Sequence, residues 1–295
     1  MIAFNAYRAG IRQLLGQKKM WLLLYLFNFL FAIFILWPLH GLMGDSVGHS
    51  LMLSDRAGID FVLISEFVNQ FGERFSDWLR TSFPTVLLYF VFSIFLMGGI
   101  LQVFKLGKRG FSASQFWGGS SRFFWRILRL SFYFFLFQAL LFFLFFRIYS
   151  ACGLNPLCIE SDADLVQRFR WMFAIYVALA ILVFMYQDYC KIHLVYQDQH
   201  PIRASLWSGI GLVSRNLRAC LSLYLLQLGI ALGILTIYWQ ATDGWAVDGS
   251  LGQLSLLFLV GQLLVFVRIG LKLLNLASAN CLYRQFTTYQ GRAAS

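Results

Sequence analysis

The sequence predicts an all-α integral membrane protein with six transmembrane helices. Of its 295 residues, 59% are hydrophobic and 13% are charged, which is far more apolar than an ordinary soluble domain. Six uncharged apolar runs each reach or approach the roughly 20 residues that a helix needs to cross a bilayer. No run has the alternating pattern of a barrel strand, so helices are the structure that satisfies the backbone in lipid.

The six runs define the predicted spans in chain order. They cover residues 20–44, 81–104, 130–146, 171–187, 219–242 and 249–267. The third and fourth runs are the shortest, but Arg129, Arg147 and Arg170 flank them with long side chains that can reach the interface. The loop between the first two spans carries a helical apolar pattern over residues 55–80, which we expect to lie on the bilayer or to cap the bundle.

The charges predict the orientation of these spans. Eighteen of the 24 Lys and Arg residues lie before span one, between spans two and three, between spans four and five, or after span six. Eleven of the 13 Asp and Glu residues lie on the opposite side. By the positive-inside rule both termini are cytoplasmic. Because the basic residues flank spans and do not form one soluble patch, we expect a phospholipid membrane as partner and no nucleic acid.

Three stretches on the predicted cytoplasmic side have the pattern of amphipathic interfacial helices. Residues 1–19 are the clearest case, with cations on one face and an apolar stripe on the other. The stripe consists of Phe4, Tyr7, Ile11, Leu14 and Leu15. Similar segments precede spans three and five, so each odd-numbered span is expected to follow an interfacial helix.

A recurrent spacing predicts a threefold internal repeat within a single membrane domain, residues 1–295. A glycine in each interfacial segment is followed by an amide in the next span, in the pairs Gly10 and Asn28, Gly119 and Gln138, and Gly209 and Gln227. The first and third spacings are equal, and the second is one residue longer. The even-numbered spans end near Lys105, Lys191 and Lys272. The repeat units cover approximately 1–107, 108–199 and 200–295, related by an axis along the membrane normal.

Ionisable residues at the ends of spans four and six form the main candidate site. Asp188 and Lys191 end span four, and Arg268, Lys272 and Asn275 continue one helical face after span six. A charge this close to a span interior is costly unless it is paired. One interpretation is a structural ion pair from Asp188 to Arg268 or Lys272, and a second is a basic cavity that binds lipid phosphate. Snorkelling without partners is the third.

The three amides of the repeat, Asn28, Gln138 and Gln227, form a predicted polar core. They are expected either to tie helices together by hydrogen bonds or to line a central polar cavity.

The cysteines and histidines indicate no metal or cofactor site. Cys152 and Cys158 fall on the noncytoplasmic side, where a disulfide between them is possible. The remaining three cysteines, Cys190, Cys220 and Cys281, are expected to be small apolar residues. No His or Cys spacing matches a metal site, and no catalytic motif is present, so we expect no catalytic residues and no enzyme activity.

One segment resembles a known family. Residues 188–195, Asp-Tyr-Cys-Lys-Ile-His-Leu-Val, precede residues 203–216, Arg-Ala-Ser-Leu-Trp-Ser-Gly-Ile-Gly-Leu-Val-Ser-Arg-Asn, and then an apolar span. This order resembles the recurring segment of bacterial multi-pass proteins similar to the membrane domain of glycerophosphodiester phosphodiesterases. The Ser-Arg-Asn ending departs from that family's usual Gly-Asn. The resemblance implies a bacterial inner membrane and a fold of interfacial helices plus spans, and no stretch of this sequence could hold the family's catalytic barrel.

Three functions are compatible with the sequence. The first is a noncatalytic subunit or scaffold that binds membrane partners, lipids or further copies of itself, which agrees with the absence of catalytic motifs and with the 32 Phe and nine Trp residues. The second is a transporter or lipid-handling protein with a polar cavity near Asp188, Arg268 and Lys272. The third is an integral lipid enzyme, for which few acids or histidines are present.

Overall fold

The computed structural model describes residues 2–46, 61–107, 110–151, 162–198, 202–243 and 251–293. Within these residues the chain is helical and contains no strand. The helices are α1 (Ile2–Leu15), α2 (Lys18–Ser46), α3 (Phe61–Leu106), α4 (Ala113–Ala151), α5 (Asp162–Tyr196), α6 (Ile202–Arg215), α7 (Leu217–Asp243) and α8 (Leu251–Ala293).

Six of these helices contain a stretch that is long and apolar enough to cross a membrane. The stretches are Lys18–Pro38, Ser76–Leu106, Ala113–Ile148, Phe173–Tyr196, Leu217–Thr242 and Ser255–Thr288. Each predicted span overlaps one of them, so the described helices are those of a multi-pass membrane protein. The sixth apolar stretch reaches well beyond the predicted end at residue 267, because Arg268 and Lys272 interrupt the uncharged run without interrupting the helix.

Two helices are longer than the sequence indicates. Helix α3 begins at Phe61, near the start of the predicted loop helix of residues 55–80, and is continuous into span two. Helix α4 begins at Ala113 and runs without a break through span three, so the middle amphipathic segment is not a separate helix. By contrast, α1 ends at Leu15 before α2 begins, and α6 ends at Arg215 before α7 begins.

The chain divides into two compact units. Unit 1 comprises Met1–Gln17, Ile94–Gly229 and Lys272–Ser295, and unit 2 comprises Lys18–Ser93 and Ile230–Leu271. Unit 1 contains most of the fully buried large side chains, among them Phe104, Phe116, Phe123, Tyr189 and Tyr283. Large apolar side chains along the spans are mostly exposed, as expected for helices whose outer faces contact lipid.

Unit 2 is built around α2, which contacts α3 and α8 through aromatic residues. The indole of Trp21 donates to the carbonyl of Phe266 at 3.0 Å and stacks on its ring with 4.6 Å between centroids. Gly270 on α8 lies against the Trp21 ring so closely that it leaves no room for a Cβ. On the other side of α2, Phe27 stacks on Phe92 at 4.6 Å. Close contact at a glycine and aromatic stacking are ordinary ways to join helices where water provides no driving force.

Candidate functional site

The three glycines of the predicted repeat all lie in unit 1, and each packs closely against another helix. A Cβ on Gly10 of α1 would lie 2.9 Å from the Cα of Ser278 on α8. A Cβ on Gly119 of α4 would lie 2.5 Å from the Cβ of Gln102 on α3, and one on Gly209 of α6 would lie 2.8 Å from the Sγ of Cys190 on α5. Gln102, Cys190 and Ser278 are equally spaced along the chain.

These contacts follow one rule. Each glycine-bearing segment packs on the even-numbered span that precedes it in the chain, and the first segment packs on the last span. Glycine allows this because it lets two helix backbones approach more closely than any side chain would permit. The contacted residues, at positions 102, 190 and 278, are equally spaced along the chain. Lys105, Lys191 and Lys272 do not have this spacing, so they do not occupy equivalent positions.

In α1 and α6, small residues face inward, and each of the three segments also exposes at least one aromatic side chain. In α1, Ala6, Gly10 and Leu14 are buried, whereas Phe4 and Leu15 are 62% and 53% exposed. In α6, Ser205, Gly209, Leu212 and Val213 are buried. Trp207 of α6 and Trp125 of α4 are 73% and 65% exposed. The predicted apolar stripe of α1 therefore lies partly on its outer side, where a bilayer could cover it.

Polar side chains bind the C-terminal end of α3. The helix ends at Leu106, and Gly107 adopts a left-handed conformation with φ of 62°. The last carbonyls of a helix lack partners within it. Here the carbonyl of Phe104 accepts hydrogen bonds from Gln13 Nε2 at 2.8 Å, Arg284 Nη2 at 3.0 Å and Asn280 Nδ2 at 3.3 Å.

The ends of α5 and α8 join this cluster. Arg284 also donates to the hydroxyl of Tyr196 at 2.6 Å and to the carbonyl of Lys105. The ammonium of Lys105 donates to the carbonyl of Val195 at 2.8 Å. Lys105 and Arg284 thus donate to carbonyls at the C-terminal ends of helices, where the helix dipole favours positive charge. We call Gln13, Lys105, Tyr196, Asn280 and Arg284 the helix-end cluster. This cluster could not be predicted from the sequence, because the groups that accept most of its hydrogen bonds are backbone carbonyls.

A second cluster surrounds Asp188, the acid singled out from the sequence. The carboxylate accepts a hydrogen bond from the hydroxyl of Tyr224 on α7 at 2.7 Å. Lys191, which is only 8% exposed, interacts electrostatically with Asp188 and Lys272, and Asn275 lies beside the Tyr224 hydroxyl.

The structure brings four of the five predicted residues of this site, Asp188, Lys191, Lys272 and Asn275, into unit 1. The fifth, Arg268, belongs to unit 2, where it is exposed. The ion pair from Asp188 to Arg268 or Lys272 stays a prediction. The hydroxyl partner, Tyr224, was not predicted, although it lies at the same place in its repeat unit as Tyr25, whose hydroxyl donates to Gln262 in unit 2.

Two of the three predicted polar-core amides form hydrogen bonds between helices. In unit 2, Asn28 accepts from the hydroxyl of Tyr89 at 2.7 Å and donates to the carbonyl of Leu24. In unit 1, Gln138 donates to the hydroxyl of Tyr176 at 2.9 Å. The bond to Tyr89 joins α2 to α3, and the bond to Tyr176 joins α4 to α5. Gln227 is 9% exposed.

In unit 1, Asp198 forms ion pairs with two arginines through its carboxylate. It follows the end of α5 and accepts hydrogen bonds from Arg122 and Arg126, which lie one turn apart on α4. The Asp198 side chain is 19% exposed, whereas those of the two arginines are 64% and 40% exposed. This pair attaches the start of α4 to the end of α5.

The predicted disulfide partners, Cys152 and Cys158, lie outside the described residues. Cys190, Cys220 and Cys281 are free thiols, the first two of them buried. No group of three His, Cys, Asp or Glu side chains in the described part of the chain could hold a metal ion.

Comparisons of the chain with known protein families, with curated proteins and with solved structures found no match.

Proposed function

We propose that the chain is a noncatalytic subunit or scaffold of a bacterial inner membrane, with both termini in the cytoplasm. In this proposal the three glycine-bearing segments lie at the membrane interface and belong to a threefold repeat, the first and third as the separate helices α1 and α6 and the middle one as the start of α4. The matched glycine contacts support the repeat, and the outward aromatic residues support interfacial placement. The resemblance to the membrane domain of glycerophosphodiester phosphodiesterases supports the location.

One observation carries the noncatalytic assignment. The ionisable side chains at the ends of α3, α5 and α8 bind helix carbonyls or one another: Lys105 and Arg284 hold backbone oxygens, and Asp198 holds two arginines. A catalytic site needs an acid, base or nucleophile placed so that a substrate can reach it. Side chains engaged in this way join helices, and the exposed aromatic residues around them offer a surface for a partner.

The proposal predicts a stoichiometric partner that binds through the interfacial segments. The full chain is extracted in a gentle detergent from membranes that express it at its natural level, and native mass spectrometry reports what it retains. Replacing Phe4 and Trp125 with alanine should release the partner. Leu232→Ala is the matched control, because Leu232 is 53% exposed but lies near the middle of span five.

A lone wild-type chain would contradict this proposal, as would a partner that survives Phe4→Ala and Trp125→Ala together.

The second candidate function is a transporter or lipid-handling protein, and the Asp188 cluster favours it. Ionisable residues within membrane spans commonly belong to substrate or ion pathways. Asp188→Asn keeps the size of the side chain and removes its charge. If the cluster only joins helices, the yield of folded protein should fall while bound lipid is retained. Loss of a bound phospholipid from a chain that still folds would favour the second function.

A further inference from the structure

A cavity of about 470 Å³ lies within unit 1, between the ends of α5 and α8 and the helix α6. This volume is within the roughly 300–1,000 Å³ of ordinary ligand pockets. Its lining includes His193 and Gln197 from the end of α5, Trp207, Gly211 and Arg215 from α6, and Thr287 from α8. Neither Asp188 nor any residue of the helix-end cluster lines this cavity.

Close contacts hold the walls of this cavity in place. Gly209 packs against Cys190 and fixes α6 on α5. The imidazole Nδ1 of His193 lies 2.9 Å from the hydroxyl of Tyr283 and joins α5 to α8. Both contacts involve buried residues, so the space between the three helices is a feature of their packing and not of loose surface side chains.

The lining has the chemistry of an anion site. It contains a guanidinium, an imidazole, an amide and the hydroxyls of Ser208, Tyr283 and Thr287, but no Asp or Glu. Arg215 forms no ion pair with the residues that the structure describes. Guanidinium groups bind phosphate oxygens through paired, charge-assisted hydrogen bonds.

Gly211 keeps the cavity open. A Cβ at this position would meet nothing within 4 Å, although the residue lies inside a helix, where glycine costs about 0.5–1 kcal/mol relative to alanine. A glycine that lowers helix stability at position 211 has an explanation if the absence of a side chain leaves room for a ligand. Trp207, which is 73% exposed, is the kind of residue found at the membrane interface.

We propose that this cavity binds a phosphate-bearing anion, with Arg215 as the charged contact and Gly211 as the residue that leaves space for it. The phosphate belongs either to a lipid headgroup at the interface or to a soluble phosphorylated compound. The cavity lies at the end of the spans that the charge distribution predicts to be cytoplasmic, where both are present.

Calorimetric titration of the full chain in detergent tests this proposal with two probes, dioctanoyl phosphatidylglycerol in mixed micelles and glycerol 3-phosphate in solution. Arg215→Gln should weaken binding by about tenfold or more. Gly211→Leu should abolish binding, because its side chain fills the cavity. Gly118→Leu is the matched control: Gly118 is also helical, also has nothing within 4 Å of a Cβ, and lies in the middle segment, away from the cavity.

Both positive outcomes support the proposal. Binding of the lipid alone identifies a headgroup site, and binding of glycerol 3-phosphate identifies a site for soluble phosphate. If Gly211→Leu does not fold, Ser208→Leu blocks the same cavity from an exposed position. The proposal is wrong if neither probe binds wild type with a dissociation constant below about 1 mM. It is also wrong if folded cavity-filling variants bind as well as Gly118→Leu.

Discussion

The first and third glycine-bearing segments differ from the middle one in how they enter the following span. Gln17 and Asn216, which lie the same distance after Gly10 and Gly209, each donate their backbone N–H to the carbonyl three residues earlier, and the helix breaks there. The corresponding residue of the middle segment is Arg126, which lies inside the unbroken helix α4.

The local residues explain this difference. Glycine precedes Gln17, and the Asn216 side chain binds the carbonyl of Leu212 at 3.1 Å, which is a typical way to end a helix. The middle segment has Trp125 and Arg126 at this point, and neither favours a break. Here the ion pairs with Asp198 attach the segment to α5 instead. All three segments keep the glycine contact, so the contact does not depend on the break.

The largest effect is expected from filling the shared glycine contacts. At Gly10 and Gly209 even a Cβ would approach α8 or α5 within 2.9 Å. Gly10→Val and Gly209→Val should therefore overpack these contacts, and either lower the free energy of unfolding by about 1–3 kcal/mol or prevent folding. Gly211→Ala, on the same helix as Gly209, should be neutral or stabilising, because nothing lies within 4 Å of its Cβ. The midpoint of thermal unfolding in detergent measures both.

Equal stability of Gly209→Val and Gly211→Ala would show that the close approach of α6 to α5 is absent in the folded protein.

An intermediate effect is expected from removing the attachment that belongs to the middle segment alone. Asp198→Asn removes both ion pairs with Arg122 and Arg126. Because the arginines are well exposed, the loss should be about 1 kcal/mol or less, and high salt should reduce it further. Unfolding midpoints of Asp198→Asn and wild type at low and high salt give the measurement. If Asp198→Asn lowers the unfolding midpoint equally at both salt concentrations, the loss of the charge interaction is ruled out as the cause.

The smallest effect is expected at the break itself. Asn216→Ala removes one half-buried side-chain hydrogen bond to a helix end, which should cost about 0.5 kcal/mol. Hydrogen exchange should accelerate at residues 212–220 and stay unchanged across residues 121–129 of α4. If exchange rises equally in both ranges, the variant has loosened the unit as a whole and Asn216 has no local role.

The six apolar helices could be predicted from the sequence because lipid exposure demands long uncharged runs. Their ends could not, since charge alone does not stop a helix: α8 continues past Arg268 and Lys272. The division of the chain into two units, with Asp188 in one and Arg268 in the other, could not be predicted from the order of the charged residues either.

The candidate site was predictable only in part. Asp188 stood out because an acid near a span interior is rare, but its partner Tyr224 is one of 13 tyrosines in an aromatic-rich chain. The helix-end cluster escaped prediction because Phe104 and Lys105 contribute backbone carbonyls, which every residue has. The equal spacing of Gln102, Cys190 and Ser278 was present in the sequence, but small and polar residues of three different types do not reveal a repeat without their packing partners.

The first glycine-bearing segment packs on the last span and so completes the set of three contacts. Cross-linking tests it directly, because the thiol of Cys281 lies 3.4 Å from Oε1 of Gln13. A short thiol-specific cross-linker is applied to Gln13→Cys in a chain whose other cysteines, apart from Cys281, are replaced by serine. A protease site is placed in the segment between α7 and α8. Cleavage leaves α1 and α8 on different fragments, and in Gln13→Cys the cross-link to Cys281 should hold these two fragments together. In Arg8→Cys the fragments should separate, because Arg8 is exposed and lies on another face of α1. Separation in both variants would contradict the account.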